Sequence, residues 1–451
     1  MHTEPTMYDI VGIGFGPSNL ALAIALDEIL RDDARALSHC FIERQPRFTW
    51  HGDMLLPGTD MQISFLKDLV SLRDPTSPYS FVNYLRQHKR LEAFISQKTF
   101  FPSRIEFNDY LRWSAGHFDA HCRYGENVTR VVPEYKGGEV VALRVHSSDA
   151  AGRERQRRSR SLVFAPGGRP VVPDCFADQN DARIMHSSRY LGAIERPAPD
   201  TGGASAPALA VVGGGQSAAE IFLDLVARYP NAKVDLILRG STLKPSEDGP
   251  SINHIFDPDY TDFFFGQPRQ VRQSLLAEFR HTNYAVVDGD LIERISAMLY
   301  AQRVDGNERV RVLSSCSVER VSCDERGVHL DLAQLGSVER LQARYQRVVL
   351  ATGYMRDTSE ALLAELEPEL DGFCIGRHYQ LATPAHVKPP IFVQGSSETT
   401  HGLADTLLSV LAVRSHEIAR SLVDKLALKP ATSAFARAGA GAGGALVTEV
   451  E

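Results

Sequence analysis

The pattern of hydrophobic and polar positions places a short apolar strand, a glycine-rich turn and an apolar helix near the start of the chain. Residues 8–12 predict a buried strand, residues 20–26 an apolar helix, and residues 39–43 the next strand. The glycine-rich turn lies between the first strand and the helix. This order of strand, glycine turn, helix and strand is the opening of a dinucleotide-binding unit.

The same pattern occurs again in the middle of the chain. Residues 208–212 predict a strand, 213–215 a glycine turn, 217–227 a helix and 234–238 a second strand. A stretch rich in Pro, Gly, Ala and Ser at 196–207 predicts a linker. The sequence therefore predicts an α/β fold with two Rossmann-like dinucleotide-binding domains.

The rest of the chain adds three kinds of segment. Residues 242–300 contain turns followed by helical patterns, and residues 328–350 alternate like strands and end before Ala-Thr-Gly. From residue 431 the chain is a low-complexity run of Ala and Gly, which predicts a disordered tail.

Composition and charge exclude several classes of protein. Of 451 residues, 43% are hydrophobic and 23% are charged, which is ordinary for a globular protein. The 49 Lys and Arg against 56 Asp and Glu give a net charge of −7, which disfavours nucleic-acid binding. No apolar run reaches the ~18 residues of a membrane span, and the first residues lack the basic segment of a secretory signal. We therefore expect a cytoplasmic protein.

The first glycine turn has the spacing of a phosphate-binding turn, with asparagine in its third position. The turn comprises Gly14, Gly16, Pro17, Ser18 and Asn19, in the pattern G-x-G-x-x-N. The glycines let the backbone approach a pyrophosphate, and the helix that follows directs N–H groups at it. Glu43 ends the next predicted strand, where a carboxylate can accept hydrogen bonds from ribose hydroxyls. The first site therefore favours FAD.

The second turn follows the pattern G-x-G-x-x-A through Gly213, Gly215 and Ala218. Its next strand ends in Arg239 rather than in an acid. A guanidinium binds a 2′-phosphate bidentately, whereas a carboxylate would repel it. The second site therefore favours NADPH over NADH, although Arg239 could also be an ordinary solvated strand end.

Two dinucleotide sites imply hydride transfer from NADPH to a flavin, and the cysteines restrict what the flavin reduces next. The six cysteines are Cys40, Cys122, Cys175, Cys316, Cys323 and Cys374, with no C-x-x-C pair among them. This pattern predicts reduced thiols and excludes both a disulfide reductase and a structural zinc site. His254 and His401 have no metal-ligand spacing, so we expect no metal. An oxygen-using reaction on a small molecule becomes the leading class.

Longer stretches carry a resemblance to a known family. They read VGIGFGPSNLALAIAL, MQISFLKDLVSLRDPTSPYSFVNYL, RIEFNDYLRW, VVGGGQSAAE, NYAVVDGDLIERI, LATGY and HGLADTLLSVL, and the resemblance covers most of the chain from about residue 8 to about residue 425. In these stretches the chain resembles the flavin-dependent N-hydroxylating monooxygenases of siderophore biosynthesis. It is most similar to the bacterial L-ornithine N5-monooxygenases of the pyoverdine-pathway type.

The resemblance implies a domain division. An FAD-binding domain would comprise 7–200 and 345–428, and an NADPH-binding domain would comprise 205–344. A smaller, partly helical substrate region, 242–300, would belong to the second domain, and 429–451 would form the disordered tail.

The resemblance also implies site residues. The expected substrate ligands are Lys67, Asn253, Asn283 and Ser409, with Lys67 binding a carboxylate. Besides the first glycine turn and Glu43, the expected flavin contacts are Trp50, His51, Met61, Gln62 and Leu408. The expected NADPH contacts are Gly213, Gly215, Gln216, Ser217, Arg239, Asn283, Tyr284, Thr352, Gly353 and Tyr354. No residue is assigned as a general acid or base.

The activity that the resemblance implies is N5-hydroxylation of L-ornithine by dioxygen through a C4a-hydroperoxyflavin, in a homotetramer. L-Lysine remains an alternative substrate, because one methylene changes pocket fit by only ~1–3 kcal/mol. The diamines putrescine and cadaverine are further alternatives, and a requirement for Lys67 would separate them, since they have no carboxylate. A Baeyer–Villiger or sulfur-oxidising flavin monooxygenase and a non-catalytic flavoprotein are alternatives of other classes.

Overall fold

The computed structural model describes residues 6–31, 36–195, 206–247, 249–337 and 340–427. The disordered tail expected at 429–451 and most of the expected linker, 196–205, lie outside these residues. Within them the chain forms two parallel five-stranded sheets, each flanked by helices and by an antiparallel sheet. The predicted α/β fold is confirmed.

The strands are numbered in chain order. The first ten are β1 (Met7–Tyr8), β2 (Ile10–Ile13), β3 (His39–Glu43), β4 (Cys122–Tyr124), β5 (Glu126–Lys136), β6 (Glu139–Asp149), β7 (Glu154–Ser159), β8 (Leu162–Phe164), β9 (Arg169–Pro170) and β10 (Ile184–His186). The others are β11 (Ala208–Val212), β12 (Lys233–Ile237), β13 (Val310–Leu313), β14 (Cys316–Asp324), β15 (Gly327–Gln334), β16 (Arg340–Tyr345), β17 (Arg347–Leu350), β18 (Tyr354–Met355) and β19 (Ile391–Val393).

The helices are numbered in the same way. They are α1 (Pro17–Arg31), α2 (Phe81–Gln87), α3 (Leu91–Ser96), α4 (Arg104–Gly116), α5 (Asp174–Ala177), α6 (Tyr190–Ile194), α7 (Gln216–Arg228), α8 (Pro258–Phe265), α9 (Arg269–Glu278), α10 (Gly289–Asp305), α11 (Thr358–Leu362), α12 (Glu398–His401) and α13 (Leu411–Ala427). In the part of the chain that the structure describes, no helix is long and apolar enough to cross a membrane.

The first parallel sheet joins strands from distant parts of the chain, in the order β19-β8-β2-β3-β4. Successive side chains of a strand point to opposite faces of a sheet. Ile10 and Phe41 therefore pack with α1 and α13 on one face, whereas Val11 and Ile42 pack with β5 and β6 on the other. We call this sheet and its covering layers the first unit.

The second parallel sheet repeats this arrangement, in the order β10-β17-β11-β12-β13. On one face Leu209 and Leu236 pack with α7 and α10, and on the other Ala210 and Ile237 pack with β14 and β15. We call this sheet and its covering layers the second unit. Both faces of each sheet are covered, which is why the strands read as continuous apolar runs.

The second sheet contains strands from outside 205–344, the range predicted for the NADPH-binding domain. Its strands β10 and β17 come from 7–200 and 345–428, the ranges expected for the FAD-binding domain. The reason is that a parallel sheet takes neighbours from distant segments, and a single strand's pattern does not identify its sheet.

The region expected to bind substrate, 242–300, is divided in a similar way. Its helix α10 belongs to the core of the second unit through Leu291 and Ile295, which lie one turn apart. Helix α8 instead contacts α12, near the end of the chain. The middle of this region, α8 and α9, therefore lies against α12, whereas its two ends, at Leu243 and α10, belong to the second unit.

Candidate functional site

Both glycine turns lie where a parallel strand ends and a helix begins. Gly14 has φ +80°, and a Cβ there would lie 2.4 Å from the Ala165 carbonyl oxygen. Gly213 has φ +150°, and a Cβ there would lie 2.3 Å from the Ala351 carbonyl oxygen. Glycine is required at both positions, because other residues disfavour this φ and their Cβ would collide with backbone.

The second glycines of the two turns have different surroundings. A Cβ at Gly16 would meet no described atom within 4 Å, so the start of α1 is open to a phosphate group. A Cβ at Gly215 would lie 3.6 Å from the Ala285 Cα. The second turn therefore lies against the chain at Ala285, directly after the predicted residues Asn283 and Tyr284.

Asn19, which replaces the usual third glycine, holds the first turn from inside. Its side chain is fully buried. The Nδ2 group donates to the carbonyl oxygens of Gly14 at 2.7 Å and Ile13 at 3.2 Å. Its Oδ1 accepts from Gln394 Nε2 at 3.1 Å. The asparagine thus provides hydrogen bonds where a small residue would provide only space.

Glu43 lies at the end of β3, beside the first turn. Its Oε2 accepts a hydrogen bond from the Phe15 N–H at 2.7 Å, and its Oε1 accepts from the Gln45 N–H at 2.8 Å. A carboxylate has about four lone-pair positions, so acceptor capacity remains for hydroxyl donors. This chemistry fits the ribose role expected for Glu43.

The second turn presents cationic and amide donors. Gln216 and Ser217 begin α7, whose amino-terminal N–H groups have no partner within the helix and suit a phosphate. Arg239 is exposed, two residues beyond β12, and makes no hydrogen bond or ion pair with any residue that the structure describes. Its guanidinium is therefore available to a phosphate.

Residues expected for the two cofactors meet beside Tyr354. This residue follows β17, and its ring centroid lies 5.3 Å from that of His186 and 6.0 Å from that of His51. His186 Nε2 lies 3.1 Å from the Gly353 carbonyl oxygen. Thr352 bonds through its hydroxyl to the Val171 carbonyl oxygen at 2.5 Å. A residue predicted to contact the flavin and one predicted to contact NADPH are thus neighbours, and we call the region around His51 and Tyr354 the cleft.

His51 lies in this cleft with a left-handed backbone, φ +49°. The residue is exposed to solvent over part of its surface. Loss of bulk water, with smaller effects from Arg104 and Arg356, lowers the pKa of His51 to about 4. The imidazole is therefore neutral at pH 7. The Trp50 ring lies 5.0 Å from it, between centroids.

One predicted substrate ligand, Lys67, lies near the segment that carries another, Asn253. Lys67 Nζ lies 4.0 Å from Asp257 Oδ1, at the start of α8. Asn253 begins the short 3₁₀ turn Asn253–Phe256 just before this aspartate. The predicted ligand Ser409 is buried, two residues before α13.

Tyr284 connects the substrate region to the segment near the end of the chain. Its hydroxyl is hydrogen-bonded to Glu398, at the start of α12. Burial, together with Glu398, raises the pKa of Tyr284 to about 12, and burial also raises the pKa of Glu398. Arg280 lies over the Tyr284 ring, 5.7 Å from its centroid. Asn283, the neighbouring predicted ligand, is half-buried.

The remaining predicted flavin contacts, Met61, Leu408 and Gln62, differ in how deeply they are buried. Met61 is buried in the core of the first unit, where Leu408 is half-buried against the same cluster. Gln62 is exposed, and its Nε2 donates to Asp288 Oδ1 of the second unit at 2.9 Å. The structure therefore gives Gln62 a protein partner, whereas its flavin contact stays a prediction.

Comparisons with known proteins show the family to which this chain belongs. The family model for L-lysine 6-monooxygenase/L-ornithine 5-monooxygenase matches residues 6–356. This chain belongs to that family. The L-ornithine N(5)-monooxygenase of Pseudomonas aeruginosa is 48% identical over 431 residues, which cover 95% of this chain and 96% of the relative.

Two solved structures of ornithine hydroxylases resemble this family member closely. The enzyme from Pseudomonas aeruginosa aligns with a TM-score of 0.89 and 47% identity, over 93% of this chain and all of that one. An ornithine N-hydroxylase from Kutzneria, solved with reduced FAD, NADP⁺ and L-ornithine, aligns with a TM-score of 0.85 and 34% identity, over the same shares.

Sequence reasoning missed one buried arginine of this monooxygenase. Arg414 is 1% exposed, and its guanidinium donates to Asp405 Oδ1 and to Ser18 Oγ in the first turn, both at 2.9 Å. It therefore attaches the segment before α13 to the first glycine turn. A signal exists in the sequence, since Arg414 lies on the apolar face of α13 between Leu411 and Ile418, and buried charges need partners.

Proposed function

We propose that this monooxygenase hydroxylates the terminal amine of L-ornithine with dioxygen, using FAD and NADPH, and forms N5-hydroxy-L-ornithine. The observation that carries the proposal is the meeting of the two glycine-turn units at one cleft, where His51 and Tyr354 lie 6.0 Å apart between ring centroids. A hydride donor on one unit can face an acceptor on the other only in such a cleft. Ornithine as the substrate is supported by the similarity to ornithine hydroxylases.

The residues present fit the two cofactors. The open space at Gly16, the start of α1 and the carboxylate of Glu43 suit the pyrophosphate and ribose of FAD. The start of α7 and Arg239 suit NADPH. Reduced by NADPH, FAD supplies the electrons that activate dioxygen.

The substrate is held at its amino-acid end, so that its amine points into the cleft. Lys67 binds the α-carboxylate, since a cation is needed to hold a carboxylate away from water. Its neighbour Asp257 is exposed and 4.0 Å distant, which leaves Lys67 able to change partner. Asn253 and Asn283 donate to the same end of the substrate.

The chain favours the neutral amine that the reaction needs. A free primary amine has a pKa of about 10.4, and a pocket that excludes water lowers it. His51, neutral at pH 7, adds no charge to the cleft. Positioning and exclusion of water therefore do most of the work, without an assigned base.

The test is the yield of hydroxylamine per NADPH oxidised, with FAD, for L-ornithine, L-lysine, putrescine and cadaverine. We expect coupled product from L-ornithine, and at least about tenfold less from L-lysine for its extra methylene. Preference for a diamine, which has no carboxylate, would contradict both the substrate and the role of Lys67. Hydrogen peroxide alone with all four amines would overturn the proposed reaction.

A matched pair of variants tests the carboxylate contact. Lys67→Met should raise KM for L-ornithine about 10- to 100-fold, because a charge-assisted contact contributes ~1.5–3 kcal/mol. Lys98→Met, on an exposed turn of the same unit, is the control and should leave KM unchanged. A siderophore pathway, a homotetramer and a cytoplasmic location stay predictions, and light scattering of the purified enzyme tests the tetramer.

A further inference from the structure

A continuous chain of side-chain hydrogen bonds joins the two units beside the second glycine turn. Arg104, the first residue of α4, donates to both carboxylate oxygens of Glu220 on α7, at 2.8 and 2.7 Å. Gln216 Nε2 donates to Glu220 at 3.0 Å and to Asp288 at 2.9 Å. Asp288 also accepts from Gln62. We call Arg104, Glu220, Gln216, Asp288 and Gln62 the inter-unit chain.

The two ends of the inter-unit chain, Arg104 and Gln62, belong to the first unit, and its other three residues belong to the second unit. Gln216 is the first residue of α7, and Glu220 lies one helical turn further along the same face. The ion pair is buried, with side-chain exposures of 12% for Arg104 and 1% for Glu220. The start of α7 is therefore fixed to α4 by groups that water does not screen.

The side-chain amide of Gln216 is fully used within the protein. Its Nε2 makes the two bonds described above, and its Oε1 accepts from the Asp288 backbone N–H at 2.9 Å. An amide has two donor hydrogens and one acceptor oxygen, so its donors are committed to carboxylates. The side chain of Gln216 therefore fixes the position of α7, and only the backbone N–H of this residue remains to bind a phosphate.

We propose that Arg104 is a positioning residue for NADPH, acting through Glu220 and Gln216 on the start of α7. This inference rests on the proposed function, in which that helix start holds the pyrophosphate. Because α4 belongs to the first unit, the ion pair sets the distance between the NADPH anchor and the FAD turn. A displacement of about 1 Å in such an anchor costs up to about 100-fold in rate.

The test separates position from stability by replacing the whole pair. In Arg104→Met/Glu220→Met, apolar groups of similar volume replace a buried ion pair, a change that leaves stability similar or higher. We expect wild-type thermal stability and FAD content, but flavin reduction by NADPH at least about tenfold slower per bound FAD. Hydroxylamine per NADPH should fall as well.

Two further variants complete the design. Arg104→Lys keeps the charge but loses the two-pronged contact, so its reduction rate should lie between those of wild type and the double variant. Arg112→Met, on the same helix but with a 53% exposed side chain, is the control and should reduce flavin at the wild-type rate.

The proposal is overturned if Arg104→Lys and the double variant both match Arg112→Met in reduction rate per bound FAD. It is also overturned if the double variant loses FAD or unfolds and Arg104→Lys keeps the wild-type rate, since the pair is then structural. Wild-type enzyme that NADPH does not reduce would instead contradict the proposed function itself.

Discussion

The glycine turns of the two units lie equally close to a neighbouring strand but have different supports. Gly14 and Gly213 each lie against a carbonyl oxygen of a neighbouring strand, at 2.4 and 2.3 Å from the position of an added Cβ. In the first turn Asn19 is bonded to the backbone and to Gln394. In the second turn the same position is Ala218, whose side chain has no polar group.

The residues at or just beyond the end of the next strand of each unit, Glu43 and Arg239, also differ in how they are bonded. Glu43 is buried and accepts two backbone N–H groups, whereas Arg239 is exposed and has no partner among the described residues. The acid at the first strand end is therefore bonded within the protein, whereas the second strand end leaves its guanidinium available to a ligand. A fold that repeats one motif can thus place a bonded acid after one turn and an available cation after the other.

The largest expected effect comes from adding a methyl group to each first glycine. Gly14→Ala and Gly213→Ala both place a Cβ against backbone and should each cost at least ~1–3 kcal/mol. Gly14→Ala should lose FAD, while Gly213→Ala should keep FAD but lose reduction by NADPH. Bound FAD per protein and flavin reduction are the measurements.

The control for this pair is Gly152→Ala, in the hairpin between β6 and β7. Gly152 has φ +74°, but an added Cβ would meet no described atom within 4 Å. This variant therefore carries only the backbone cost. Equal loss of FAD in Gly14→Ala and Gly213→Ala would contradict the separate roles of the two turns.

The next effect concerns the strand end of the second turn. Arg239→Glu places an acid at this strand end, as in the first unit. KM for NADPH should rise about 10- to 100-fold, while KM for NADH should change little. Steady-state kinetics with both coenzymes measures this ratio. Arg303→Ala, an exposed arginine of α10, is the control. An unchanged ratio in Arg239→Glu would show that Arg239 is only a solvated strand end.

A smaller effect follows from removing the internal support of the first turn. Asn19→Ala gives the first turn the residue of the second, and it removes the hydrogen-bond partner of the half-buried Gly14 carbonyl and of the Gln394 amide. The free energy of unfolding should fall by about 1–3 kcal/mol, measured by urea denaturation. Asn127→Ala, exposed on β5, should change it by less than ~0.5 kcal/mol. A similar result for both variants would contradict the proposed support.

The smallest effect is the pH dependence of stability from His51. Its pKa is lowered to about 4 in the folded protein, from 6.5. Between these values the unfolded chain binds a proton that the folded protein does not, so stability falls as the pH falls from 6.5 to 4. His51→Gln should lose less thermal stability over this range than wild type, and His117→Gln, at an exposed helix end, should behave like wild type.

The local motifs were predictable from the sequence, because glycine spacing, strand ends and apolar runs are short-range signals. The positions of Gly14, Gly213, Glu43 and Arg239 at strand ends follow from such signals. The sheet to which a strand belongs does not. Strand β10, for example, pairs with β17, which lies more than 150 residues away in sequence.

Contacts between the units were also beyond the sequence. Arg104 and Glu220 are 116 residues apart, and neither breaks the local pattern of its helix strongly enough to reveal a partner. The cleft between His51 and Tyr354 likewise depends on how the units pack. The resemblance to a known family indicated which residues to expect at the site, but the distances between them could be obtained only from the structure.

The most direct test of the account is anaerobic reduction of the FAD-loaded protein, followed by the visible absorbance of the flavin. The account predicts that NADPH bleaches the flavin and that NADH does so at least about tenfold more slowly at equal concentration, because Arg239 binds a 2′-phosphate. Failure of both coenzymes to bleach bound FAD would contradict a shared cleft. Equal rates with both would contradict the contrast between the two turns.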